Sequence, residues 1–280
     1  MVTPLEQSKN LSSYAGVPIY LKREDLHPLH SHKGRSIPHM IDTYVKKGIT
    51  SFVISSSGNA ALAAAMHISK NHSEAKLTIL VGEKIPEEKL KALLDLKSNQ
   101  IHISQVPRPL MELSRLEKEG WQSLRQSTDE NALTGYASLA DEIVDQESQV
   151  SDIFIVTSSG TTAVSLHKRF LELDKNIKIH IVQTPAVHPF IESAHKGTSL
   201  AQAVSDVVGH RRSQISEMLI ESNGSGIIAT DKYIEKAKII LEPHYSNLTP
   251  NGLLSVAGLI AHLDFKNSIS KSAVCIIGGK

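Results

Sequence analysis

Apolar, β-branched runs alternate along this chain with segments of helical period. Runs at 19–22, 52–55, 77–81, 101–104, 153–157, 179–184, 227–230 and 273–277 predict strands. Segments 37–47, 60–71, 87–96, 110–119, 139–147, 163–173, 232–241 and 253–264 predict the helices between them. Strand followed by helix, repeated, predicts parallel sheet covered by helices. The strand runs are not polar at every second position, as expected when both faces of the sheet are buried. Thr128-Asp129-Glu130-Asn131 and the polar stretch 145–151 read as surface connections, and the main boundary is placed near residue 145. The stretch 185–225 has no clear period and reads as loop with short helix; no repeat or low-complexity tract interrupts the pattern.

With 280 residues the chain is long enough for two subdomains. A hydrophobic share of 40%, a charged share of 21% and a net charge of +1 with the signs mixed give no electrostatic case for a nucleic-acid or membrane partner. No run approaches the roughly 20 apolar residues of a membrane span. The first 20 residues are too polar for a signal peptide. The single cysteine, Cys275, allows no intrachain disulfide and agrees with a reducing, cytoplasmic setting.

Three stretches carry candidate chemistry. The first is Lys22-Arg23-Glu24-Asp25-Leu26, followed by Ser31-His32-Lys33-Gly34-Arg35, where a strand gives way to a helix beginning near Arg35. A lysine in a desolvated cleft can act as nucleophile and then as base. His27, His30 and His32 crowd the same stretch, but their spacing matches no regular zinc pattern, and no metal is expected. The second is Ser55-Ser56-Ser57-Gly58-Asn59-Ala60, between an apolar strand and an alanine-rich helix. A helix start offers unpaired amide hydrogens to a carboxylate or phosphate, and the asparagine can donate to a ligand oxygen. The third is Thr157-Ser158-Ser159-Gly160-Thr161-Thr162, again strand, polar turn and helix, without the Gly-Lys-Ser/Thr of a nucleotide loop. Ordinary capping by serine, threonine and asparagine is the plain alternative for both turns.

The order of these motifs resembles the fold-type-II pyridoxal-phosphate enzymes, the relatives of tryptophan synthase β, threonine synthase and serine/threonine dehydratase. Further stretches agree: Thr3-Pro4-Leu5 is similar to the family's opening, 86–91 to a helix start, 135–142 to a glycine-to-glutamate helix entry, and Glu242-Pro243 precedes a small-residue helix. The resemblance implies an α/β fold of two open, mostly parallel α/β subdomains with the cofactor cleft between them, tryptophan synthase β-like. A smaller, mobile subdomain is placed at 36–145 and a larger one at 1–35 plus 146–280. It implies pyridoxal 5'-phosphate as cofactor, a small amino-acid substrate and a homodimer. Lys33 is then the Schiff-base lysine, and Asn59 the partner of the cofactor's ring oxygen. Ser56, Ser57, Gly58 and Ala60 form the substrate-carboxylate loop. Ser158, Ser159, Gly160, Thr161 and Thr162 form the phosphate cradle, and Gly135 part of the pocket wall.

The pattern departs from the family in three places. The phosphate loop has one glycine among hydroxyl residues, and Gly34 stands where threonine synthases carry aspartate. At the end, Cys275-Ile276-Ile277-Gly278-Gly279-Lys280 puts Ile277 where a serine or threonine meets the pyridine nitrogen, so that Cys275 or a water substitutes or the nitrogen is unpaired. An unprotonated nitrogen favours β-elimination or replacement over transamination. The activity implied is a lyase acting on serine, threonine or a phosphorylated relative. A degenerate member that binds cofactor with little catalysis is the second reading, and a nucleotide-binding protein without pyridoxal the third. For a phosphorylated substrate the basic nominees are Lys84, Arg108, Arg211 and Arg212, each read first as a surface residue.

Overall fold

The computed structural model describes every residue except Met1, His30, His195, Ala203 and Lys280. The histidine run at 27–32 therefore lies partly outside the described residues, at His30, and the closing Gly-Gly-Lys does so at Lys280. The elements in order are β1 (Leu5–Gln7), α1 (Lys9–Ala15), β2 (Ile19–Lys22), α2 (Lys33–Val45), β3 (Ser51–Ser55), α3 (Asn59–Asn71), β4 (Lys76–Gly82), α4 (Glu87–Leu94), β5 (Ile101–Val106), α5 (Pro109–Lys118), β6 (Gln122–Ser123), α6 (Asn131–Gln146), β7 (Val150–Val156), α7 (Thr161–Glu172), β8 (Lys178–Gln183), α8 (Arg212–Glu221), β9 (Ser225–Ile228), α9 (Asp231–Leu241), α10 (Pro250–Asp264) and β10 (Ser272–Ile276).

The chain divides into two units, 28–135 and 1–27 with 136–280. The first holds a parallel sheet in the order β5-β4-β3-β6. The second holds a sheet in the order β1-β2-β10-β7-β8-β9, parallel except for the β1–β2 pair. β2–β5 and β7–β10 are where the unbroken apolar runs predict them, whereas β1 and β6 correspond to no such run. All five residues of β10 are buried, as are the five central residues of β4. Each unit has its own apolar core, one centred on α10 and the central strands of its sheet, the other on α2, α3, β3 and β4. The expected boundaries at 36 and 145 fall inside α2 and α6.

Several expectations change. α6 begins at Asn131 and passes through Gly135, so that glycine is within the helix and not at its entry. Asp129 Oδ1 accepts the Asn131 N–H at 2.8 Å and starts the helix there. The connection placed at 145–151 shrinks to the few residues between Gln146 and Val150. Within 185–225 the structure forms α8 and the first residue of β9. α1 was not anticipated, although its signals are present: Ser8 Oγ accepts the Leu11 N–H, and Gly16 closes the helix at φ 73°.

One buried polar cluster sits within the larger sheet. His180 Nε2 lies 2.9 Å from Asp152 Oδ1, and its Nδ1 lies 2.8 Å from Ser225 Oγ. His262 on α10 packs with its ring centroid 4.5 Å from that of His180 and 5.4 Å from that of Phe154. Burial, and secondarily His180, push the His262 imidazole down to about 4 from 6.5. Below pH 6.5 the unfolded chain protonates this residue while the folded chain does not. The stabilisation is therefore complete above pH 6.5 and is lost as pH falls toward 4. A shift of this size corresponds to about 3 kcal/mol in full, and to about 2 kcal/mol between pH 7 and pH 5. Urea unfolding at these two pH values is expected to show that loss, and His262→Gln is expected to remove most of it. An unchanged pH dependence in the variant would assign the acid sensitivity elsewhere.

Candidate functional site

Two lysines stand close together in sequence and have opposite surroundings. Lys22, at the end of β2, has no exposed surface. Its Nζ donates to Glu142 Oε2 at 2.6 Å, Gln146 Oε1 at 2.7 Å and the Thr3 carbonyl at 2.8 Å, which uses all three of its hydrogens. Arg23 beside it forms a two-point pair with Asp25, Nε to Oδ1 at 2.9 Å and Nη2 to Oδ2 at 2.8 Å, and reaches Glu6 at 2.8 Å. The Lys-Arg-Glu-Asp motif is therefore a buried ionic joint of the larger unit.

Lys33 is the first residue of α2 and is half-buried. Its backbone N–H donates to Ser31 Oγ at 3.2 Å, and the Gly34 N–H donates to the Ser31 carbonyl at 3.0 Å. Among the described residues, no hydrogen bond or ion pair engages its ammonium. The amine thus sits at the head of α2, with its donors unused among the described residues.

The head of α3 lies at the same end of this unit. Asp42, late in α2, meets His67, late in α3, and His72, the residue just past its end, so the two helices run alongside each other in one direction. Lys33 and Asn59 then share the opposite end, over the carboxyl edge of the parallel sheet, where ligands of open α/β sheets bind. Asn59 opens α3, which has no side-chain cap, and Ser56 Oγ accepts the Gly58 N–H at 3.3 Å. Gly58 is extended at φ −127°, and a Cβ there would meet nothing within 4 Å. The glycine therefore leaves room above the helix head. Ser56, Ser57, Asn59 and Ala60 all border that space in sequence and are partly exposed.

Gly135 is buried, and a Cβ on it would fall 2.5 Å from Ser36 Cα and 3.0 Å from the Arg35 carbonyl. Ser36 Oγ donates to the Ala132 carbonyl at 2.9 Å. The first turns of α6 and α2 are thus pressed together one turn from Lys33. The contact observed for Gly135 is with the backbone that positions the amine.

In the larger unit, β7 runs into Thr157–Ser159 and then α7. Gly160 precedes α7 at φ +83°, and a Cβ on it would reach 3.0 Å from Ile215 Cγ1 and 3.3 Å from Phe190 Cζ, so only glycine suits the position. α7 has no side-chain cap at Gly160; the Thr161 N–H donates to Ser159 Oγ at 3.4 Å, at the head of the helix. Ser159 Oγ and Thr161 Oγ1 lie 2.9 Å apart. This donor set fits a phosphate group. Ser158 is different. Its hydroxyl accepts from the backbone N–H groups of Ser205 and Asp206, each at 3.1 Å, and donates to Asp206 Oδ2 at 3.2 Å. That hydroxyl is committed to the 205–206 loop, and the Asp206 carboxylate adds a negative charge that sequence reading did not foresee. Arg211, read as a surface cation, is 3% exposed and donates to Gln214 Oε1 at 2.8 Å.

β10 lies next to β7 and ends at the same edge of the sheet. Ile277 follows it, fully buried, with its N–H bonded to the Lys22 carbonyl at 3.0 Å. A Cβ on Gly252, at the head of α10, would sit 3.6 Å from Ile277 Cγ2. Ile277 thus offers hydrocarbon and no hydrogen-bonding group. Cys275 is also fully buried, and burial pushes its thiol well above the ordinary range.

Known proteins resemble the whole of this chain. It is 26% identical over 290 residues to threonine dehydratase 1 biosynthetic, chloroplastic, of Solanum lycopersicum, covering 99% of this chain and 47% of that protein. The chain therefore spans about half the length of that plant dehydratase. It is 26% identical over 266 residues to the L-serine dehydratase/L-threonine deaminase of Bos taurus, covering 87% of this chain and 80% of that one. The solved structure of the processed form of threonine deaminase isoform 2 from Solanum lycopersicum shares the fold, with a TM-score of 0.86 and 21% identity over 100% of this chain and 84% of that chain. The family model described as pyridoxal-phosphate dependent enzyme matches residues 1–279. With a lysine that none of the described residues engages on one helix head and a hydroxyl-lined helix head beside the end of β10, this chain belongs to the pyridoxal-phosphate dependent enzyme family.

Proposed function

We propose that this protein is a pyridoxal-phosphate-dependent lyase that eliminates the β-hydroxyl of serine or threonine and releases ammonia. The observation that carries the reading is the contrast between the two lysines: Lys22 has every donor engaged, whereas the Lys33 ammonium is engaged by none of the described residues. The similarity to serine and threonine dehydratases supports the substrate class.

When bound, pyridoxal phosphate supplies an electron-withdrawing ring conjugated to the substrate's amino carbon. Lys33 would hold it through its amine, and the same amine would take the proton from the substrate Cα. Ser56, Ser57, Gly58 and Ala60, at the head of α3, receive the substrate carboxylate. Asn59 directs its amide hydrogens to the ring hydroxyl oxygen. Ser159, Gly160, Thr161 and Thr162 bind phosphate mainly through backbone amides, since the Ser158 hydroxyl is already bonded to Asp206. Ile277 gives the ring nitrogen no proton donor, which favours expulsion of a β-substituent over transamination. The same reading places a homodimer in the cytoplasm, in keeping with the single buried cysteine.

The test is turnover. Enzyme loaded with pyridoxal phosphate is expected to release pyruvate from serine or 2-oxobutyrate from threonine. Phosphate release from a phosphorylated homoserine instead would move the assignment to the threonine-synthase type. A bound chromophore with no turnover across a panel of amino acids would overturn the lyase reading. It would establish the second one, a cofactor-binding member with little catalysis, which the hydrocarbon of Ile277 favours. The reading without pyridoxal falls with the family assignment.

A further inference from the structure

We infer that Asp42, His67 and His72 form a binding site for one transition-metal dication, of the zinc or cobalt class, joining the carboxyl-terminal ends of α2 and α3. Both imidazoles aim Nε2 at a single oxygen, Asp42 Oδ1, each at 2.7 Å. An ordinary ion pair needs one such partner; here two nitrogens and one oxygen converge, all within 4.8 Å of one another. A four-coordinate ion with bonds of about 2.0–2.2 Å needs its ligand atoms about 3.3 Å apart. The Asp42 oxygen, 2.7 Å from each nitrogen, must therefore withdraw by roughly 0.6 Å, and the two nitrogens settle to the same spacing.

Side-chain exposure favours that movement. The rings are 14% and 15% exposed and fixed by packing, whereas Asp42 is 43% exposed and free to swing. Its open side leaves a fourth position for water. Each ring is also backed on its far side. Asn71 Nδ2 lies 3.1 Å from His67 Nδ1, and Glu74 Oε1 lies 3.5 Å from His72 Nδ1. The Glu74 carboxylate can accept the Nδ1–H of a metal-bound His72, whereas the Asn71 amide nitrogen is a donor and must turn its oxygen toward His67 Nδ1 when Nε2 binds a metal. Two imidazoles and one carboxylate select zinc, cobalt or nickel over magnesium or calcium.

The site is separate from the proposed catalytic groups. Asp42 is nine residues along α2 from Lys33, and His67 eight along α3 from Asn59, so each lies roughly 12–14 Å from its helix head. An ion here ties together the two helices whose other ends present the amine and the asparagine. Its contribution is rigidity and not chemistry.

The test uses the full, tag-free chain loaded with pyridoxal phosphate and stripped of metal by a chelator. Cobalt(II) is expected to bind at one ion per chain with the strong visible bands of four-coordinate cobalt. Zinc is expected to displace it and to raise the melting temperature by roughly 3 °C or more. His67→Gln and His72→Gln are each expected to weaken zinc binding at least about tenfold while leaving turnover per loaded enzyme unchanged. Asp42→Asn keeps the shape and can still accept from both rings, so it tests ion binding in a chain that retains the helix contact. Cobalt binding of equal strength in Asp42→Asn and the parent, or no cobalt bound by the parent, would overturn the inference and leave the cluster as a hydrogen-bonded brace.

Discussion

Lys33→Ala is expected to bind pyridoxal phosphate without the absorption band of a lysine-linked cofactor, and to lose serine and threonine turnover by about 10³-fold or more. Two roles are removed at once. In the proposed function the amine would fix the cofactor covalently and would move the Cα proton, a role worth roughly 10²–10⁴-fold by itself. The neighbouring Lys22 cannot take over, because its ammonium is enclosed and bonded to three acceptors. Lys33→Arg is expected to fare no better, since a guanidinium keeps its proton and forms no such link. Far-ultraviolet circular dichroism of both variants should match the parent, because among the described residues the Lys33 ammonium takes part in no hydrogen bond or ion pair. Retention of the band in Lys33→Ala would place the covalent attachment on another lysine and overturn the assignment.

The parts of this fold legible in the sequence were those governed by neighbouring residues. Unbroken apolar runs such as Phe52-Val53-Ile54 and Ile153-Phe154-Ile155-Val156 read as strands buried on both faces, and they are. Hydroxyl-rich turns after them read as helix heads, and α3 and α7 begin there. What escaped was set by distant residues. Nothing near Ser158 in sequence shows that Asp206 occupies its hydroxyl, 48 residues later. Nothing near Gly135 shows that α2 lies against it. Arg211 reads like any basic residue, yet the fold buries it. Asp42, His67 and His72 match no metal-binding spacing, because two packed helices, not one segment, bring them together. The positions 36 and 145 lie inside α2 and α6, which continue as regular helices past the places where composition changes.

Lys22→Met is expected to destabilise the larger unit by about 3–5 kcal/mol, the usual cost of removing one partner from a buried ion pair. The methionine keeps the volume of the lysine stem but supplies none of its three hydrogens. Glu142, 11% exposed, then keeps a carboxylate with its 2.6 Å ion-pair partner gone, and the Thr3 carbonyl and Gln146 Oε1 each lose a donor. Thr3 connects this joint to Glu24 through a 2.5 Å hydrogen bond, so the loss spreads to the turn after β2. A change of this size corresponds to a fall of roughly 10 °C or more in melting temperature for a unit of this length. Adding Glu142→Met to Lys22→Met should cost less than the sum of the two single changes, because the second removes the stranded charge. The cofactor band is expected to survive at low temperature in Lys22→Met, in contrast to Lys33→Ala. The two lysines are thereby separated by independent readouts, stability for one and covalent chemistry for the other. A cost below about 1 kcal/mol, the scale of a solvent-exposed pair, would mean that the Lys22 ammonium is hydrated in solution and that the Lys-Arg-Glu-Asp segment does not anchor β2.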